Sequence, residues 1–143
     1  MPRFFTLSEA ESLLPEVRRL LDTLITSKND YEESSAEIDG IKQRIALLGG
    51  VTGPGDRAVQ LRARKDNSAR ALKSSFERIE EIGCQIKDLD TGLVDFPTLY
   101  HDQEVYLCWK LGEPTISYWH HVSDGFAGRR AIDSEFLAHH RAD

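Results

Sequence analysis

Hydrophobic side chains recur every three or four residues through the first half of the chain. This 3.5-residue period is typical of a coiled-coil seam, although Lys28 and Ser35 interrupt it. The first stripe contains Val17, Leu21, Leu24, Lys28, Tyr31, Ser35, Ile38, Ile41, Ile45 and Leu48. A second stripe contains Ala58, Leu61, Lys65, Ala69, Leu72, Phe76 and Ile79. Two such stripes predict a long antiparallel helical hairpin over residues 7–83.

The ends of this hairpin are marked by capping and breaking residues. Thr6 and Glu9 have the spacing of a capping box, and Gly83 is a C-terminal stop signal. Pro15 fits best in the first turn of a helix, so we expect a short helix, a kink and then the long helix. The glycine-rich run at 49–56 separates the two long helices.

The register of the hairpin follows if the two stripes face each other. The expected facing pairs are Ile45 with Leu61, Ile38 with Ala69, Tyr31 with Phe76, and Leu24 with Ile82. This register places the acidic residues between 30 and 39 opposite the basic residues between 70 and 78. Complementary charges of this kind set the pairing of antiparallel helices. We therefore interpret the arginines as a solvated, salt-bridged surface and not as a phosphate-binding stripe.

The period of the pattern shortens after Gly83, and residues 84–132 predict a small antiparallel sheet. Gly92 lies in a predicted hairpin turn, and Pro97 should end its strand or lie at a sheet edge. Residues 104–110 and 115–120 predict two strands that pair across a four-residue turn. Neither face of this pair is purely polar, so we expect the helical hairpin to cover one face and a partner or ligand the other.

That pairing assigns each side chain of the two strands to a face. It puts His120 on one face, with Val105, Leu107, Trp109, Ile116 and Tyr118. Trp119 falls on the other face, with Tyr106, Cys108 and Ser117. Residues 133–143 predict a short capped helix or a frayed tail. The predicted fold class is α+β, in one domain that spans residues 1–143.

Charge and cysteine usage exclude several classes of protein. The net charge of −6 and the pI of about 5.4 do not suit a nucleic-acid binder, whose affinity depends on neutralising phosphates. The sequence has no 18-residue apolar run and no signal-peptide pattern, so we expect a cytoplasmic protein with no membrane span. Cys84 and Cys108 lack the CxxC spacing and are expected to be free, buried thiols.

The side chains that carry chemistry are concentrated after Gly83. Both tryptophans, both cysteines, three of the four tyrosines and all five histidines lie there. The candidate ligand-binding residues are Tyr118, Trp119, His120, Gly125, Gly128, Arg129 and Asp95. Backbone amides beside glycine together with a guanidinium suit an anion, and adjacent aromatic rings suit a planar group. The structural alternative is that Arg129 pairs with Asp95 or Asp88 and holds the loop against the sheet.

Metal binding and nucleophilic catalysis have weaker support in the sequence. The possible divalent-metal ligands are His101, His120, His121, Glu113, Asp95 and Cys108, but no spacing such as HExxH connects them. The acidic residues around Gly92 lack the EF-hand pattern. No nucleophile elbow is present. We therefore assign no catalytic residue, metal site or cofactor from the sequence.

Three motifs resemble those of an uncharacterised bacterial family of unknown function. They are KDLDTGLVDFP at 87–97, LCWKLGE at 107–113, and YWH at 118–120 followed by GFAGR at 125–129. The resemblance spans nearly the whole chain. It implies a helical hairpin joined to a small sheet, and it supplies no activity.

Two classes of function remain open at this point. The first is a cytoplasmic interaction or scaffold protein that acts as a homodimer, because the seam is interrupted and the β-hairpin has apolar groups on both faces. The second is a protein that binds an anionic small molecule, or a metal-dependent enzyme, using residues 88–130. The expected partners are a second copy, another protein or an anionic small molecule, and a nucleic acid is not expected.

Overall fold

The computed structural model describes residues 3–49 and 55–140, and the chain divides into two compact units. Unit 2 is Asp22–Glu77, and unit 1 consists of the residues up to Leu21 and those from Arg78 onward. The helices are α1 (Leu7–Leu47), α2 (Asp56–Ile82) and α3 (Ser134–His139), with one short 3₁₀ turn at Phe126–Gly128. A five-stranded antiparallel sheet lies between α2 and α3 in the sequence. The α+β prediction, with a helical hairpin followed by a sheet, is confirmed.

Within unit 2, the two helices pack in a different register from the predicted one. Arg64 donates to Asp30 at 2.8 Å and to Glu33 at 2.9 Å. The predicted register is wrong by about three helical turns, because it would place Arg64 opposite Lys42. The acidic residues of α1 therefore pair with the first half of α2, where Arg57 also contacts Glu37 at 2.7 Å.

Small polar residues occupy the interface where larger apolar neighbours were predicted. The buried serines are Ser27, Ser34, Ser68 and Ser75. Tyr31 and Phe76, which were expected to face each other, are 37% and 41% exposed. A serine is small enough to lie between closely packed helices. A prediction that selects interface positions by their hydrophobicity leaves serines out. The register prediction failed because it aligned these larger side chains.

Helix α1 continues through Pro15, so the predicted division into a short helix and a new long helix is wrong. Proline removes one backbone donor and leaves the carbonyl four residues earlier without its usual partner. Pro15 is exposed, so water can reach that side of the helix. The capping box at the start of α1 is confirmed, since the Glu9 amide donates to Thr6 Oγ1 at 3.1 Å and the Thr6 amide to Glu9 Oε1 at 2.9 Å.

The sheet contains five strands that are neighbours in the order of the chain. They are β1 (Gln85–Asp88), β2 (Leu93–Tyr100), β3 (Gln103–Lys110), β4 (Tyr118–His121) and β5 (Arg130–Ala131). Gly92 has a φ of 72° in the turn before β2, and its amide donates to the carbonyl of Leu89 at 3.1 Å. The predicted turn at Gly92 is therefore confirmed.

The pairing of β3 with β4 differs by one residue from the predicted pairing. Tyr106 pairs with His120 and Leu107 pairs with Trp119. The connection runs from 111 to 117, longer than the four-residue turn that was expected. Because side chains alternate along a strand, a one-residue slip moves every side chain of β4 to the other face relative to β3. His120 therefore shares a face with Tyr106 and Cys108, and the predicted face assignment is wrong.

Pro97 does not end its strand, because β2 continues to Tyr100 between β1 and β3. The pairing of β1 with β2 stops at Asp95, so Pro97 lies beyond the last residue of that pair. The carbonyl of Pro97 accepts a hydrogen bond from the Phe5 amide at 2.7 Å. Since the N and C=O of one strand residue point to the same side, the missing N–H faces away from β3. Pro97 therefore belongs to an internal strand, but it lies past the point where β1 stops pairing with that strand.

The inner face of the sheet forms the apolar core of unit 1. We define it by the buried residues Val94, Phe96, Leu107, Trp109 and Trp119. Phe5 packs edge-on against Phe96 with ring centroids 5.4 Å apart. The guanidinium of Arg18, on α1, lies 5.5 Å from the Trp109 ring.

The outer face carries Asp95, Tyr106, Cys108, Tyr118 and His120. Arg129, from the loop after β4, lies over the Tyr118 ring and donates to the carbonyl of Cys108.

The C-terminal segment is an ordered helix as far as the structure describes it. The Asp133 side chain caps α3 by accepting from the Phe136 amide at 2.8 Å. Phe136 is buried against Tyr100 and Trp119, with ring centroids 5.0 and 4.9 Å away. The capped-helix alternative is confirmed, and the frayed-tail alternative is wrong for residues 133–140. No helix in the described ranges is long and apolar enough to cross a membrane.

Candidate functional site

The sheet separates the seven candidate residues into three groups. Asp95, Tyr118 and His120 lie on the outer face, and Arg129 reaches the same face from the loop after β4. Trp119 lies on the inner face and belongs to the core. Gly125 and Gly128 lie in the loop. The candidate set therefore combines residues from both faces of the sheet.

Asp95, Cys108 and His120 form a buried cluster on the outer face, which we call the outer-face centre. Asp95 pairs directly with Cys108 across β2 and β3, and His120 lies on β4. One potential ligand atom from each residue lies within 4.8 Å of the other two. The three residues are 1%, 0% and 2% exposed. Three internal strands therefore bring a carboxyl group, a thiol and an imidazole together away from water.

Both ring nitrogens of His120 face oxygen atoms. Nδ1 lies 2.7 Å from the carbonyl oxygen of His121, and Nε2 lies 3.1 Å from each carboxylate oxygen of Asp95. A carbonyl can only accept, so Nδ1 must donate to it. Nε2 then faces the carboxylate either with a second proton or with its lone pair. In the second case, either a proton on the carboxyl group or a metal ion has to lie between the nitrogen and the carboxyl oxygens.

The Cys108 thiol has no properties of a nucleophile in this environment. Burial and, after it, the neighbouring Asp95 carboxylate raise its pKa to about 12, while Arg129 opposes both effects. A thiol with such a pKa is fully protonated at neutral pH. Cys84 is also free and buried, as predicted, and burial raises its pKa to about 12. The outer-face centre is therefore not a Cys–His catalytic pair.

Arg129 lies beside this centre in what we call the Arg129 clamp. Its guanidinium donates to Glu113 Oε1 at 2.5 Å and to the carbonyl of Cys108 at 3.3 Å. It also lies 4.1 Å from the Tyr118 ring centroid and 4.7 Å from that of Phe126. The expected partners Asp95 and Asp88 were wrong, because the longer β3–β4 connection carries Glu113 to the guanidinium.

The carboxylate of Glu113 is held in its ionised form. Burial raises its pKa, but hydrogen bonds from Arg129 and from the Lys110 amide outweigh this effect and leave the pKa below its usual value. The Lys110 amide donates to Glu113 Oε1 at 2.7 Å. The positive charge of Arg129 is therefore neutralised by the negative charge of Glu113 within the clamp.

Several backbone amides of the loop after β4 donate hydrogen bonds to carbonyls of the same loop. Gly125 has a φ of 67°, and its carbonyl accepts from the Gly128 amide at 3.1 Å. The Arg129 amide donates to the carbonyl of Phe126 at 3.2 Å. A Cβ added at Gly128 would collide with Asp124. The two glycines thus permit a tight turn, and the amides of Gly128 and Arg129 are not directed at a ligand.

A shallow cavity of about 180 Å³ lies on the outer face near the clamp. Its lining residues are Asp88, Thr91, Leu93, Lys110 and Phe126. Sites for small organic ligands are usually 300 Å³ or larger. This cavity is therefore better suited to an ion or a few water molecules than to a planar organic molecule.

The other predicted metal ligands lie elsewhere. Glu113 belongs to the clamp, and the His121 ring packs against Trp119 at 5.1 Å. His101 lies near Glu135 and His139 in an exposed group. The sequence analysis had named Asp95, Cys108 and His120 among six possible metal ligands without bringing the three together. The one-residue register error had put Cys108 on the face opposite His120, which hid their proximity.

Comparison with known proteins gives one match. Residues 3–132 match the sequence model of an uncharacterised conserved protein family, DUF2203. Searches of curated proteins and of solved structures each found no match. The matched range includes every residue of the outer-face centre and of the clamp, and it ends before α3. Because that range covers most of the 143 residues, the chain belongs to the DUF2203 family of uncharacterised conserved proteins.

Proposed function

We propose that this chain is a metal-binding protein whose outer-face centre holds a divalent transition-metal ion. The observation that carries the proposal is the arrangement of His120 Nε2 and the Asp95 carboxylate, 3.1 Å apart, beside the buried Cys108 thiol. Imidazole, thiolate and carboxylate are the groups that bind zinc in proteins. The hydrogen bond from His120 Nδ1 to a backbone carbonyl is the outer contact that usually fixes a metal-binding histidine.

The charges of the three groups match a divalent ion. A neutral imidazole, a carboxylate and a thiolate together carry a charge of about −2, which one M²⁺ ion balances. The neighbouring Arg129–Glu113 pair already balances itself and adds no net charge. Without metal, the Cys108 thiol carries its proton, because its pKa is about 12. Metal binding to the thiolate at neutral pH therefore releases that proton.

The composition of the site favours zinc, cobalt or copper over magnesium or calcium. Magnesium and calcium prefer all-oxygen sets, whereas a thiol and an imidazole select softer ions. Three protein ligands leave room for a fourth donor in a tetrahedral shell. An anionic small molecule has less support here, because Glu113 already occupies the guanidinium of Arg129. A metal-dependent enzyme is one form of this proposal, with the cavity beside Lys110 as the nearest open space.

The test uses cobalt as a spectroscopic probe of the thiolate. Purified protein is stripped with a chelator and titrated with Co²⁺ and Zn²⁺. We expect a sulfur-to-cobalt charge-transfer band and proton release in calorimetry performed in two buffers. Cys108→Ala and Asp95→Asn should remove the band or weaken binding at least about tenfold. Cys84→Ala removes the other buried thiol and is the matched control, so its band should remain.

The opposite pattern refutes the proposal. A stripped protein that gives no charge-transfer band, or a band that survives Cys108→Ala, would mean that the thiol does not bind metal. Asp95→Asn keeps the size of the side chain, so it answers the question if Cys108→Ala fails to fold.

We also propose that the chain self-associates, because a specific feature of unit 2 favours it. Tyr31, Val59 and Phe76 expose 37%, 61% and 41% of their surface on the helical hairpin. Large exposed apolar side chains support a role as a homodimeric interaction protein. Light scattering at micromolar concentration tests this, with Phe76→Glu expected to shift a dimer towards monomer. A monomer in the unaltered protein would refute it.

Two free cysteines support a reducing compartment, so we propose a cytoplasmic location. Cell fractionation that recovers the protein outside the cytoplasm would contradict this.

A further inference from the structure

The turn between β2 and β3 carries a second group of metal-ligating side chains, separate from the outer-face centre. His101 and Asp102 form this turn with φ values of 50° and 63°. The His101 amide donates to the carbonyl of His139 at 3.1 Å, and Tyr100 forms a β-bridge with His140. Backbone contacts therefore hold the end of α3 against the turn, and the side chains of the two segments meet there.

The side chains at this junction bring three potential metal ligands close together. His139 donates from Nδ1 to the carbonyl of Glu135 at 3.0 Å, which leaves the lone pair of Nε2 free to bind an ion. Glu135 lies one helical turn before His139, so both project from the same side of α3. The Tyr100 hydroxyl donates to Glu135 Oε1 at 3.3 Å. The His101 ring lies 4.4 Å from the His139 ring at 29°.

We propose that His101, Glu135 and His139 bind a divalent transition-metal ion, with zinc as the physiological candidate. Their potential ligand atoms lie within 4.8 Å of one another. Tetrahedral zinc with bonds of about 2.0–2.1 Å needs neighbouring ligand atoms about 3.4 Å apart. All three side chains are exposed, so small rotations can close that gap. Two imidazoles and one carboxylate select zinc, nickel or copper over the oxygen-seeking magnesium and calcium.

The two proposed sites differ in how they load. The outer-face centre is buried, so its ion enters as the sheet folds. The junction site is open to solvent, so its ion exchanges in the folded protein and water completes the coordination. Glu135 and His139 also lie beyond the residues that match the family, so the junction site depends on this chain's own C-terminal helix.

Metal at the junction acts as a clip. Helix α3 has six residues, far below the length at which an isolated helix is stable in water. Its position depends on the packing of Phe136 and on the contacts with the turn. An ion shared by His101 on the turn and His139 on α3 adds a bond between the two segments. Zinc should therefore slow the opening of α3.

The test measures zinc binding and hydrogen exchange in the Cys108→Ala protein, which lacks the buried thiol ligand. We expect about one Zn²⁺ per chain to bind at this surface and to slow amide exchange in residues 134–139. His139→Asn and Glu135→Gln should each weaken that binding at least about tenfold. Glu80→Gln removes the same charge from an exposed position on α2 and is the matched control. Mg²⁺ should neither bind nor change the exchange.

Three results would refute the proposal that a metal ion joins α3 to the turn. They are undiminished zinc binding in Cys108→Ala/His139→Asn, equal protection of α3 by Mg²⁺, and zinc binding without any change in α3 exchange. If Cys108→Ala does not fold, the same titration is performed on the protein that retains Cys108. There, His139→Asn should lower the number of zinc ions bound per chain by about one. The cobalt–thiolate band reports the outer-face centre alone, so the two proposals fail independently.

Discussion

Replacement of Arg129 by alanine should destabilise unit 1 by about 2–4 kcal/mol. The ionic hydrogen bond to Glu113 contributes about 1.5–3 kcal/mol when it is mostly shielded from water. Stacking on Tyr118 and Phe126 adds about 0.5–1 kcal/mol at a partly exposed site. The Arg129 and Glu113 side chains are 13% and 24% exposed, so solvent screening brings the pair towards the lower half of its range.

Denaturant unfolding followed by tryptophan fluorescence measures this change directly. Trp109 and Trp119 both lie in the sheet of unit 1, so their signal reports the unit that contains the clamp. A double-mutant cycle with Glu113→Gln isolates the coupling between the two side chains, which we expect to be about 1.5 kcal/mol or more. Arg129→Lys is the control, because it keeps the charge and loses the planar fork and the stacking.

A small effect would refute this reasoning. If Arg129→Ala changes the free energy of unfolding by less than about 0.5 kcal/mol, the residue behaves like an ordinary surface arginine. If the change is large but the coupling to Glu113 is near zero, the stability comes from the aromatic rings alone. In that case, the ion pair does not hold the loop.

Three further outcomes follow from buried and ionised groups. The pKa of Glu113 is lowered in the folded protein, so the stability from its pair with Arg129 is complete above the unfolded pKa of about 4.3 and is lost as pH falls through the folded pKa. The Arg129→Ala difference measured by unfolding should therefore narrow as the pH falls below the unfolded pKa of about 4.3, and a constant difference would contradict the ionic assignment. Ser34 is fully buried and its hydroxyl has no hydrogen-bond partner among the described residues, so Ser34→Ala should raise the unfolding free energy by about 1 kcal/mol. A loss of stability would mean that this hydroxyl is bonded. Cys84 and Cys108, whose pKa values burial raises to about 12, should not react with a thiol reagent at pH 8 until denaturant is added. Rapid reaction in the native protein would show that the thiols are accessible.

The sequence was sufficient to predict elements whose signals are local. The capping box at Thr6, the turn at Gly92 and the capped helix after Asp133 depend on a few adjacent residues, and each is present in the structure. The hairpin itself followed from the period of its apolar stripes. These signals act between residues that are close in sequence, so they can be read without knowledge of the tertiary contacts.

Two local expectations failed, at Pro15 and at Pro97, and the larger errors concern the pairing of distant segments. In the hairpin, hydrophobicity selected Phe76 where the smaller Ser75 is buried. In the sheet, the connection after β3 was longer than its turn signal indicated, and the slip separated His120 from Cys108 in the prediction. A cluster assembled from three strands depends on the register of those strands. Because the predicted register of β4 was off by one residue, the sequence analysis did not place Cys108 beside His120.

The composition of unit 1 from two separate stretches of chain has a consequence for synthesis on the ribosome. The Phe5 amide binds the carbonyl of Pro97, and the Thr98 hydroxyl donates to the carbonyl of Phe5 at 2.5 Å. These contacts join residues more than 90 positions apart in the chain. Residues 22–77 can pair as a local helical hairpin as they emerge, because their contacts are close in sequence.

The N-terminal segment, in contrast, has to wait for β2 before its backbone finds a partner. Until then, the apolar side chains of Phe5 and the first turns of α1 stay accessible to other chains and to chaperones. A slowly translated stretch between α2 and β2 would prolong that period. Its effect should appear as lower soluble yield, without any change in the stability of the finished protein.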